Sequence, residues 1–133
     1  MLDRSEVIGP WVCDRLGGKF DPVNDAAIGL ERNGSLVAGV VYDNFLGRSI
    51  CMHVAAEGRH WLTRDFLRAA FFYAFETAGV HKVIGAVDSS NLQARRFDEH
   101  LGFVLEAVLT GAAKNGDLLL YSMTRQQCRF LKD

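Results

Sequence analysis

An excess of charge of either sign is missing from this chain. Its 133 residues hold 15 Lys and Arg against 16 Asp and Glu, a net charge of −1. No long-range field therefore draws it to nucleic acid or to an anionic membrane, and any anion it binds must be held by a local cluster. Cysteine is scarce: Cys13, Cys51 and Cys128 are an odd number at wide, irregular spacing. That argues against a disulfide framework and a zinc site, so no metal is expected, and it suits a reducing cytoplasm. No apolar run approaches the ~20 residues of a membrane span, and no basic start leads into an apolar stretch. A soluble, cytoplasmic protein without membrane contact is the expectation.

Apolar residues are plentiful. With 49% hydrophobic residues and nine phenylalanines, the chain suits one compact domain over 1–133 that buries roughly two-thirds of its unfolded surface. Ser5 to Leu16 reads as a helix with Val7, Ile8, Trp11, Val12 and Leu16 on one face, interrupted or restarted at Gly9-Pro10. Ala26 to Arg32 and Ser35 to Phe45 flank Asn33-Gly34, a strong hairpin signal, and Ser49 to Ala55 adds a third strand. Trp61 to Ala78 has helical periodicity and stops at Gly79; His81 to Val87 is a short buried strand. Val104 to Ala112 and Asp117 to Thr124 form a last pair of strands around Asn115-Gly116. The expectation is a mixed α/β (α+β) fold, with a central, mostly antiparallel sheet and flanking helices.

The segment from Ser89 to Phe103, SSNLQARRFDEHLGF, carries both a helix start and a helix stop. Ser90 is the expected N-cap with Gln93 as its capping-box partner, and Gly102 the left-handed residue that ends the helix. Leu92, Phe97 and Leu101 share a face, while Arg95 and Glu99 are spaced to pair. The pattern Asn-x-x-Ala-x-x-aromatic-x-x-x-Leu-Gly-Phe between two strands resembles the last shared segment of the GNAT superfamily of N-acetyltransferases. The element order of the whole chain agrees with that fold. Cys51-Met52-His53, Trp61 and Tyr121-Ser122-Met123 resemble small, often phage-borne members.

The resemblance implies an acetyl-coenzyme A–dependent transfer of an acetyl group to an amine. The thioester would enter between Ser49–Ala55 and His81–Val87. A pyrophosphate needs the open N–H groups of a helix start, which the resemblance places in the loop before the long helix. Val54, Ala55, Gly58, Arg59, Thr63 and Arg64 are the cofactor-binding candidates there, with Thr63 as N-cap and Leu62 and Leu67 as a hydrophobic staple. Asn91 is implied at the pantetheine arm, with a helix-cap asparagine as the competing reading, and Arg95 or Arg96 at the adenosine phosphates. Leu62 and Arg64 depart from the small residues of the family pattern, and Phe97 stands where many members carry a proton-donating tyrosine.

His53, Glu57 and Tyr121 are the catalytic candidates. His53 is the residue type suited to taking a proton near neutral pH, although a hydrogen-bonded core histidine is the competing reading; Glu57 lies at the strand exit, and Tyr121 is a strand-borne donor. A retained fold without catalysis, serving as a scaffold or virion component, is the alternative. A small amine, a protein amine and a modified base remain open as acceptors, and no basic face speaks for nucleic acid. Phe72 falls on the polar stripe of the Trp61–Ala78 helix beside Phe71 and Phe75. That cluster leads to the expectation of a homodimer or larger assembly through this face.

Overall fold

The computed structural model describes residues 5–132. Helix α1 (Ser5–Leu16) precedes a meander of β1 (Ala26–Arg32), β2 (Ser35–Asp43) and β3 (Ser49–Ala56). Helix α2 (Arg64–Phe72), strand β4 (Lys82–Asp88), helix α3 (Leu92–Leu101), β5 (Val104–Leu109) and β6 (Leu118–Thr124) follow, and two short 3₁₀ turns end the chain. The strands form one sheet in the order β1-β2-β3-β4-β6-β5. Neighbours run antiparallel except β3 and β4, which are parallel. The expected mixed, mostly antiparallel sheet with flanking helices is therefore observed.

Alternation along the strands sorts the sheet into two faces. Val40, Tyr42, Ile50, Met52, Val83, Leu119, Tyr121 and Met123 pack on one face with Phe66, Ala70 and Phe71 of α2 and Leu101 of α3. The other face carries Ala27, Val41 and Ala55 under Ile8 and Val12 of α1. Helix α1 runs through Pro10 without the expected break. Ile8 and Val12, one on each side of the proline, are both fully buried and hold the helix to the sheet. Val7 and Leu16 are exposed instead of joining them.

The long central helix is shorter and less regular than its periodicity suggests. Arg59–Trp61 is a separate 3₁₀ turn. Thr63 caps α2 by accepting from Phe66 N at 3.2 Å, as expected. Beyond Phe72 the chain widens into a π turn, Tyr73–Thr77, where Ala78 N reaches Tyr73 O at 2.8 Å. The Tyr42 hydroxyl donates to Ala70 O at 2.6 Å beside this change of pitch, satisfying a buried carbonyl.

Phe71 and Phe75 are buried; Phe71 stacks on Phe75 and Phe130 and meets Phe103 at a tilt. The C-terminal turns cover this side of α2, tied down by Arg68 Nη1 donating to Phe130 O and by the Arg125–Glu76 ion pair. Phe72 alone is exposed, so the expected Phe71–Phe72–Phe75 surface cluster does not form. The larger exposed apolar run is on the edge strand β5, where Val104, Leu105, Val108 and Leu109 are exposed around a bulge at Glu106. Helix α1 spans only β1, β2 and β3, so this half of its face has no helix over it. No helix among the described residues is long and apolar enough to cross a membrane.

Candidate active site

Strands β3 and β4 pair only from Ser49–Cys51 to Lys82–Ile84. Past that point β4 stays with β6 as far as Asp88, and β3 stays with β2 as far as Ala56. The pair therefore parts, as expected, and leaves a cleft of about 270 Å³ between Met52–Val54 and Gly85–Asp88, roofed by Phe97 and Asp98 of α3. Val54, Asn91, Ala94 and Phe97 also line an adjoining pocket of about 320 Å³ that reaches Gly58 and Arg59. Through Arg59, Leu62 and Phe97 it continues into a groove of about 620 Å³ between α2 and α3. Arg59, Arg64, Arg96, His100 and Arg129 line that groove, and no carboxylate does. The slot thus opens, through the adjoining pocket, into a channel lined by four arginines.

The channel's mouth includes the start of α2. Thr63 serves Phe66 N with its hydroxyl and Leu67 N with its carbonyl, leaving the N–H groups of Arg64 and Asp65 without a partner among the described residues. Open donors at a helix start favour an anion. Gly58 and Arg59 line the channel, and Leu62 and Arg64 project into it as well. Arg96 faces the same groove. Arg95 does not: its guanidinium lies against the Tyr121 hydroxyl and Ser89 O. Val54 lines the slot, whereas Ala55 turns to α1 and its successor Ala56 takes the place expected for it.

Asn91, rather than Ser90, caps α3, its Oδ1 accepting from Ala94 N at 3.1 Å. Ser90 is turned back toward Asp88, its N–H and hydroxyl both donating to Asp88 Oδ1. Gly102 ends the helix at φ 110°, as its position predicts. Asn91 also lines the slot, so its capping and its place beside the cleft coexist.

His53 and Asp98 approach the slot from opposite faces of the sheet. His53 alternates with Met52 and Val54 and so lies on the α1 face, where its Nε2 meets Asp43 Oδ1 at 2.8 Å. A carboxylate there favours the tautomer with the hydrogen on Nε2, leaving Nδ1 as an acceptor. Asp98 comes from the α2–α3 face and rests on Gly85: a Cβ at that glycine would stand 2.9 Å from Asp98 Oδ2. The missing side chain at Gly85 is what admits the carboxyl. Burial first, then the Glu99 charge, push its pKa up to about 6, against a counter-pull from His53.

The other candidates fall elsewhere. Glu57 is exposed beyond the end of β3, held by Arg15 Nε at 3.1 Å and Nη2 at 2.5 Å. Tyr121 is fully buried, and its hydroxyl donates to Glu99 Oε2 at 2.6 Å. Burial, with that bond, holds the phenol above its ordinary pKa. Arg95 and Glu99 thus converge on Tyr121 instead of forming a simple pair. Burial likewise raises the thiols of Cys51 and Cys128, which keeps them protonated and poor nucleophiles. Among the described residues no group of three or more His, Cys, Asp or Glu is placed to hold a metal ion.

Sequence reasoning missed Asp43, Asp98 and Arg129. Asp98 had a signal: it sits within the Ala94–Phe97–Leu101 stripe, where an acid has no place on packing grounds. Asp43 and Arg129 reach the site only through strand register and the fold of the C-terminal turns.

This is the fold of the GNAT acetyltransferases, as comparison with solved structures shows. A single-residue mutant of spermidine N-acetyltransferase SpeG from Vibrio cholerae is similar at 21% identity, over 84% of this chain and 70% of that one, with a TM-score of 0.68. A probable acetyltransferase is similar at 24% identity, over 91% of this chain and 71% of that one, with a TM-score of 0.64. No protein-family model and no curated protein matches the sequence.

Proposed function

We propose that this chain is an N-acetyltransferase that moves an acetyl group from acetyl-coenzyme A to an amine by direct attack, with both substrates bound together and no acyl-enzyme. The observation that carries this reading is the parted β3–β4 pair opening onto a channel lined by Arg59, Arg64, Arg96 and Arg129. Acetyl-coenzyme A is an elongated molecule with phosphates at one end and a thioester at the other, and the channel has the matching polarity. The arginines and the N–H groups of Arg64 and Asp65 would hold the phosphates. Val54, Asn91 and Phe97 would flank the arm. The bound thioester would supply the activated acyl group.

On the α1 face, His53 Nδ1 would take the proton that an incoming ammonium must lose, with Asp43 fixing the ring and stabilising its charged form. The protonated state of Cys51 and Cys128 speaks for direct attack.

Calorimetric titration with acetyl-coenzyme A tests it. Binding with a defined stoichiometry is expected, and at a hundred times the dissociation constant the fold should gain about 2.7 kcal/mol. A folded protein that neither binds the coenzyme nor gains thermal stability at millimolar concentration would refute the reading. That outcome would favour the scaffold alternative, for which Leu62 in the channel is the supporting observation.

A further inference from the structure

We propose that Asp98 is the acid that returns a proton to the coenzyme's sulfur, working across the sheet from His53. The inference rests on the acetyltransferase reading and assigns a role that no sequence motif suggested. Phe97, which has no proton to give, lies beside Asp98 on the same helix, and both line the slot. The carboxyl of Asp98 reaches the slot over Gly85, and it forms no hydrogen bond with any described residue. It enters from the face that bears the arginine channel, hence from the side of the coenzyme arm. His53 enters from the face that bears α1, hence from the side left for the amine.

The charged groups around Asp98 are Glu99 beside it on α3, His53 on β3 with Asp43 behind it, and Asp88 at the end of β4. Asp88 is saturated by Ser90 N, Ser90 Oγ and Asn115 N, which hold it below its ordinary pKa. It is no rival as a proton donor. A desolvated carboxyl is held in its neutral form to a higher pH than usual. Filling the slot removes more water from it and favours that form further. Thiols ordinarily titrate near 8.5, about two units above this carboxyl, so proton transfer from Asp98 to a departing thiolate runs downhill.

The step balances as follows. His53 takes one proton from the ammonium, and the amine nitrogen bonds to the acyl carbon. The carbon–sulfur bond breaks with its electron pair left on sulfur, and Asp98 gives its proton to that sulfur. The nitrogen's second proton restores Asp98, so amide and thiol form with one proton released in all.

Two measurements on wild type and Asp98→Asn test this. Calorimetry with free coenzyme A near pH 6.5, in buffers of different ionisation heat, should show proton uptake on binding in wild type and none in the variant. Turnover with acetyl-coenzyme A should fall about 100-fold in the variant. With an acetyl thioester of a more acidic thiol, the gap should narrow several-fold, because a better leaving group needs less help. Proton uptake that persists in Asp98→Asn, or an equal rate loss with both thioesters, overturns the assignment. A wild type that binds and turns over while the variant matches it overturns this inference alone. A wild type that does not bind the coenzyme overturns the acetyltransferase reading with it.

Discussion

Replacing Asp98 by asparagine should stabilise the fold at neutral pH, and the gain should shrink on acidification. Folding raises this carboxyl from 3.8 to about 6, chiefly by burial. The folded molecule therefore binds the proton more tightly than the unfolded chain does. Above pH 6 the carboxylate is buried at full cost; between 6 and 3.8 the cost fades, and below 3.8 both states hold a neutral acid. At about 1.4 kcal/mol for each tenfold change in proton affinity, the cost at pH 7.5 approaches ~3 kcal/mol. An asparagine amide in the same place carries its own desolvation cost of about 1–2 kcal/mol. The net gain at pH 7.5 is then about 1–2 kcal/mol, whereas the pH-dependent part of the difference keeps the full ~3 kcal/mol. Urea denaturation followed by tryptophan fluorescence, at steps from pH 7.5 to 4, measures both. A stability difference between the two proteins that does not change over this range would refute the burial argument.

Four further outcomes are expected. His53→Gln should lower turnover about 100-fold with coenzyme affinity nearly unchanged, while Glu57→Gln, which alters only a surface pair with Arg15, should leave the rate intact; steady-state kinetics beside calorimetry separates the two. Arg96→Ala should weaken coenzyme binding about tenfold and flatten its salt dependence, measured by titration at two ionic strengths. Tyr42→Phe should cost about 0.5–1.5 kcal/mol in urea denaturation, because Ala70 O loses the Tyr42 hydroxyl and keeps only the Tyr73 N–H. Phe72→Glu should leave the sedimentation profile unchanged, since Phe71 and Phe75 are turned inward; a shift toward monomer would show self-association through α2.

Much of the architecture was legible because local punctuation and period agreed. Ser5–Leu16, Ala26–Arg32 and the stop at Gly102 fall where the sequence reading puts them. The errors arise where one residue's partner lies elsewhere in the fold. Ser90 is an eligible cap, but Asp88 turns its side chain away from the helix and Asn91 caps instead. Strand β5 ends at Leu109 instead of continuing to Ala112, because Gly111 turns at φ 66° and bonds Asp117. The burial of Phe71 and Phe75 depends on Phe130, nearly sixty residues on, and helical period alone cannot report it. For the candidate site, His53, Arg59, Arg96 and Asn91 were readable as residues. The division of labour between two faces of a parted sheet was not, because it exists only once β3 and β4 separate.

Strand β5 leaves the molecule with one unprotected flank. Its outer hydrogen-bonding groups face water, and four large apolar side chains flank them with no covering helix. Such an edge is a template on which further chains can assemble as strands. What interrupts it is small: Glu106, bulged out of register, accepts from Lys82 Nζ at 2.8 Å and from the Ser122 hydroxyl, setting a polar bridge across Ile84 and Leu120. Glu106 and Lys82 therefore act as gatekeepers. Salt that screens this exposed pair weakens the polar interruption of the edge, so self-association through β5 should rise with ionic strength.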